Sequence, residues 1–98
     1  MNETIPRAEM LALAIDRVKQ RCGAMALRVT DKEEELHYWQ ARARQAEPEF
    51  RAGPVHEAAS IAKQLEKAKR DQVIWNFLYD LLYTTFDSVQ HAPPRKDT

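Results

Sequence analysis

The segment QVIWNFLYDLLYTTF, residues 72–86, is the most apolar part of the sequence and constrains the fold most strongly. It contains a single charged residue, Asp80, and five of the eight aromatic residues of the chain. Asn76, Asp80 and Thr84 recur every four residues, so they form one narrow polar strip if the segment is helical. The rest of the circumference is apolar, and a helix of this kind is buried on several sides.

Apolar residues recur at alternating steps of four and three in two long segments, of which the second includes 72–86. This is the spacing of a seam between packed helices. The first seam is Leu11, Ile15, Val18, Cys22, Met25, Val29, Lys32, Leu36, Trp39 and Ala43, and the second is Ile61, Leu65, Ala68, Gln72, Trp75, Tyr79, Leu82, Phe86 and Val89. Two such seams joined by a short connector predict an all-α fold, a long helical hairpin.

Proline and glycine set the expected boundaries, because proline is tolerated in a first helical turn and excluded from helix interiors. Gly53 is expected to cap, and Pro54 suits a first helical position. The chain is predicted to form one helical domain over 1–98, with a helix at about 5–47, a connector at 48–53, a helix at about 54–91 and a disordered tail at 93–98.

One break competes with a continuous first helix. Thr30 with Glu33, or Asp31 with Glu34, matches a capping box, in which a side-chain oxygen and a carboxylate bind the free amides of a new helix. A kink near 28–31 would give three helices. Because the seam keeps its phase through this region, continuity is favoured.

The first helix can cover only one side of the second, so the remaining apolar surface needs another cover. A second copy is favoured, giving a homodimer that forms a four-helix bundle, parallel or antiparallel. A different protein, or a kinked first helix that folds back, are the alternatives. The expected dimer or partner interface is Val73, Ile74, Trp75, Phe77, Leu78, Tyr79, Leu81, Leu82, Tyr83 and Phe86.

Composition removes several classes of function. The 98 residues are 44% hydrophobic and 31% charged, with 15 basic and 15 acidic side chains. A zero net charge argues against binding driven by phosphate charge or by an anionic bilayer. No apolar stretch is long enough for a membrane span, and one cysteine excludes an internal disulfide framework. A cytoplasmic location is expected.

Few residues suggest chemistry. No HExxH, CxxC, GxGxxG or GxxxxGK[ST] pattern occurs, so no catalytic residue, metal or cofactor is expected and the protein is predicted not to be an enzyme. Cys22, on the first seam, is interpreted as a small buried residue. A disulfide to the same residue of a second chain is the alternative.

Lys63, Lys67 and Arg70 share one helical face and are the candidate basic contact face. A solvated face of ion pairs is favoured instead, because Glu66 lies four residues before Arg70 and Asp71 lies four residues after Lys67. The predicted function is a non-catalytic protein–protein interaction module, a small helical homodimer that acts as regulator, inhibitor or chaperone of another protein. The alternatives are a nucleic-acid-binding regulator and a small all-helical dimeric enzyme.

Overall fold

The computed structural model describes residues 6–91, with side chains described as far as Val89. Helix α1 is Arg7–Gln45, one 3-10 turn lies at Pro48–Phe50, and helix α2 is Ala52–His91. No strand occurs within these described residues. The two helices pack side by side and antiparallel, so the predicted all-α helical hairpin is confirmed.

Helix α1 runs through residues 28–31 without a break. Thr30 does not cap a new helix: its Oγ1 donates to the carbonyl oxygen of Ala26 at 3.1 Å, one turn back along the same helix. The hydroxyl is thereby used within α1, and the favoured continuous helix is the one observed.

The connector, 46–51, has the predicted length of six residues but lies two residues earlier in the chain than predicted. Ala46 is extended, and its N–H donates to the carbonyl oxygen of Arg42 at 3.0 Å, which ends α1. Helix α2 then begins at Ala52 rather than near Pro54. Pro54 fits inside the first turn because amides there have no partner within the helix. Gly53 is helical and not a cap, and no described glycine has a positive φ. The predicted tail at 93–98 lies outside the described residues.

The two predicted seams meet along the hairpin. Their buried members form a thin core with relative exposures of 2–8%: Val18, Val29, Ile61, Leu65 and Ala68. Every other seam residue is half-buried. The polar exception in α1, Lys32, donates from Nζ to Oε1 of Gln64 at 2.7 Å and lies 3.6 Å from Glu35 Oε2. The amine is therefore satisfied at the edge of the seam.

This core leaves an unusually large surface for the length of the chain. The accessible area is 8100 Å², whereas a compact monomer of 11.4 kDa is expected to expose roughly 5800 Å². The radius of gyration is 22.2 Å, against about 13 Å for a compact chain of this length. A two-helix rod gives each helix one packed side only, and its other sides face outward.

Candidate interaction surface

The outer face of α2, defined here by Val73, Ile74, Phe77 and Leu81, points away from α1. The relative exposures of these four side chains are 67%, 62%, 67% and 53%, in the same order. The spacing places them on the side of α2 opposite the seam, because Trp75 and Tyr79 of the same segment face α1. The outer face thus carries four large apolar side chains on about two and a half turns of helix.

The rest of the predicted interface is divided between the seam and its edges. Trp75, Tyr79, Leu82 and Phe86 are half-buried seam residues, and Leu78 is half-buried on the edge of the seam. Tyr83 is exposed, and its ring lies 6.1 Å from that of Tyr79. The sequence grouped all ten residues together, whereas in the single chain only five of them are exposed and available to another polypeptide.

A polar strip separates the outer face from Tyr83. Asn76, Asp80 and Thr84 are all exposed. Oγ1 of Thr84 donates to the carbonyl oxygen of Asp80 at 2.8 Å, and Oγ1 of Thr85 donates to that of Leu81 at 2.9 Å. These hydroxyls are occupied by the backbone of α2 itself, so they add little polarity to the apolar surface beside them.

A groove of about 570 Å³, here called the flank groove, lies between α1 and α2 near the open end of the hairpin. Trp75 borders it from α2, and the guanidinium of Arg21 lies 5.4 Å from the Trp75 ring centroid in cation–π geometry. The α1 residues that line it are Ala14, Arg17, Val18, Gln20, Arg21 and Ala24.

The sequence analysis did not identify this groove. A signal is nevertheless present: Ala14, Arg17, Arg21 and Ala24 recur at steps of three and four beside the α1 seam. The spacing places the two arginines on one flank of α1. It does not reveal that this flank adjoins Trp75, because that depends on which sides of the two helices meet.

A second groove, of about 650 Å³, lies at the closed end of the hairpin. Trp39 and Arg42 border it from α1, Phe50 from the 3-10 turn, and His56 and Glu57 from α2. Phe50 is largely exposed there. Next to this groove, Nη2 of Arg51 donates to the carbonyl oxygen of Ala46 at 3.1 Å and ties the connector to the end of α1.

The candidate basic contact face is exposed on α2. Of the two predicted ion pairs, Lys67 with Asp71 is formed, at 3.8 Å. Arg70 has no ion pair among the described side chains, and neither has Lys63. The neighbouring Lys69 reaches across to Glu33 of α1 at 4.0 Å. Part of this basic segment is therefore balanced by acidic side chains, as expected for a solvated helix surface.

Cys22 is half-buried in the α1 seam and forms no disulfide within the chain. No group of three or more His, Cys, Asp or Glu side chains that could hold a metal ion occurs among the residues that the structure describes. Neither helix, over its described length, has a segment apolar and long enough to cross a membrane.

Comparison with known proteins gives no match: no family model, curated protein or solved structure is significantly similar to this chain.

Proposed function

We propose that this protein is a non-catalytic protein–protein interaction module that works as a homodimer and acts on another protein as its regulator, inhibitor or chaperone. The observation that carries the proposal is the outer face of α2, whose four large apolar side chains are each more than half exposed. Large exposed apolar patches on a soluble chain mark interaction sites.

The energetic argument starts from burial. Covering a large apolar side chain contributes roughly 1.5–3 kcal/mol, so covering the four side chains of the outer face gives a substantial driving force for association. Helix α1 cannot supply this cover, because the seam already occupies its apolar side. The segment around the outer face carries one charge, Asp80, so a second α2 helix meets little electrostatic repulsion there.

The partner protein is expected to meet the same exposed end of the hairpin. Phe77 is an aromatic residue at the centre of the outer face, and buried aromatic residues carry a large share of binding energy at interfaces. A cytoplasmic location remains part of the proposal, since an unpaired cysteine such as Cys22 is typical of a reducing compartment.

The homodimer is tested by placing a charge on the outer face. Phe77→Asp and Leu81→Asp should each convert the dimer to a monomer, because an uncompensated carboxylate would be buried in the interface. The molar mass is measured by light scattering coupled to size exclusion at micromolar concentration. Leu27→Asp is the matched control, since Leu27 is 68% exposed on α1 and lies outside the outer face.

Contact with other polypeptides is tested in the cells that express the protein. A photo-crosslinking phenylalanine analogue is placed at position 77 or, as control, at position 27. We expect adducts at position 77 with a second copy and with a partner protein, and none at position 27. A chain that remains monomeric and gives no adduct at position 77 would refute the proposed function.

A further inference from the structure

The two flanks of the hairpin can be told apart by their contacts. Glu33 and Lys69, which approach to 4.0 Å, each follow a seam residue directly. The residues that follow the seams therefore share one flank, and the residues that precede them share the other. Arg21 precedes Cys22 and Leu78 precedes Tyr79, so Arg21 and Leu78 belong to this second flank, where the flank groove opens.

The flank groove is apolar at its base and basic along one wall. Val18 and Trp75 lie at the base, and Ala14 and Ala24 border it without blocking access. On α2, Leu78 lies three residues after Trp75 and is half-buried. It therefore extends the apolar surface along the same flank.

The basic wall is not neutralised by the chain itself. Arg17 and Arg21 have no carboxylate within ion-pairing distance in the described structure, and the guanidinium of Arg21 lies over the Trp75 ring. On the facing segment of α2, Asp71 is the one acidic residue that directly precedes a seam residue and so lies on this flank. It pairs with Lys67 at 3.8 Å. Two guanidinium groups one helical turn apart thus border an apolar groove with free hydrogen-bond donors.

We propose that the flank groove binds an acidic amphipathic helix of a partner protein. The apolar side of that helix would lie on Trp75 and Leu78, and two carboxylates one turn apart would pair with Arg17 and Arg21. This inference rests on the proposed function, because it assumes that the protein acts by binding another protein. It adds the chemistry of that partner.

Length and charge both favour this occupant. The groove extends along α1 from residue 14 to residue 24, about 15 Å at 1.5 Å per residue, which accommodates about three turns of helix. A second copy bound across a two-fold axis at this groove would place Arg17 and Arg21 against the same arginines of its neighbour. Like charges in an interface are unfavourable, so the groove selects an acidic partner over another copy.

The test uses designed helical peptides of 18 residues with leucine at steps of three and four. One peptide carries two glutamates one turn apart beside the apolar stripe, and its twin carries lysines there. Trp39→Phe leaves Trp75 as the only tryptophan, so a blue shift of its emission reports binding in the groove. The acidic peptide should shift the emission and bind at least about tenfold more tightly than the basic one.

Charge exchange makes the test specific. Arg17→Glu with Arg21→Glu should reverse the preference, so that the lysine peptide binds more tightly. Arg17→Glu alone, which removes no contact seen within the chain, should weaken acidic-peptide binding without changing the helical circular dichroism. The control is Lys19→Glu with Arg44→Glu, which makes the same change of charge at exposed positions that do not line the flank groove.

Equal affinity for the two peptides, a Trp75 emission that neither peptide changes, or a preference that survives the charge exchange would each overturn the inference. A Trp75 shift with phosphatidylserine vesicles but with neither peptide would overturn it as well. The dimer is measured separately by molar mass. A dimer without peptide selectivity refutes only the acidic-helix partner, whereas a monomer with the expected selectivity refutes only the homodimer.

Discussion

Gly23 lies in the middle of α1 and is exposed, and outside the adjoining backbone of its own helix no atom lies within 4 Å of the position that a β-carbon would occupy. Glycine in a helix interior costs about 1 kcal/mol relative to alanine, because more backbone freedom is lost on folding. Its presence weakens α1 locally but does not interrupt it. No close approach of a neighbouring side chain requires glycine here.

Gly23→Ala should therefore raise the free energy of unfolding by about 0.5–1 kcal/mol. The measurement is urea denaturation followed by far-ultraviolet circular dichroism, at a fixed protein concentration. Ala12→Gly, at an exposed position of the same helix, is the opposite control and should lower the stability by a similar amount. A destabilised Gly23→Ala variant would show that this position has a packing role in the assembly.

At the scale of single residues, each predicted seam contains one polar side chain, Lys32 in the first and Gln72 in the second. The sequence did not show how Lys32 is satisfied, since the partner Gln64 is 32 residues away. Arg21 was missed for a related reason. Its stacking on Trp75 depends on the register between two helices, which the spacing within one helix does not determine.

At the scale of the helices, the alternation of four and three was sufficient to place every seam residue at a buried or half-buried position. This pattern is readable because a packed helix must keep the same side toward its neighbour over its whole length. The start of α2 was less predictable. Pro54 marks a first turn, but it is compatible with several positions within that turn.

The core around Leu65 tests the packing of the two helices. Leu65 is buried with Val29 and Ala68, and Leu36 packs against them. Leu65→Ala should lower the free energy of unfolding by about 2–3 kcal/mol, the low end of the range for such truncations because this core is thin. Leu27→Ala, at an exposed site, should change it by less than about 0.5 kcal/mol. Equal effects in thermal or urea unfolding would contradict the seam.

At the scale of the whole molecule, the hairpin buries one side of each helix and leaves the outer face and the flank groove open. The sequence predicts an excess of apolar surface on 72–86, with ten residues in the expected interface. The sequence alone could not separate the covered residues from the exposed ones, because that requires knowing which side chains α1 covers. The structure assigns Trp75, Tyr79, Leu82 and Phe86 to the seam, half-buries Leu78 at its edge, and leaves five residues exposed: Val73, Ile74, Phe77, Leu81 and Tyr83.

The claim that a second polypeptide covers the outer face of α2 can be tested by sedimentation equilibrium of the unmodified chain, from about 1 to 100 µM. We expect a molar mass close to twice the chain mass of 11.4 kDa over this range. A single species of one chain mass at every concentration would contradict the claim.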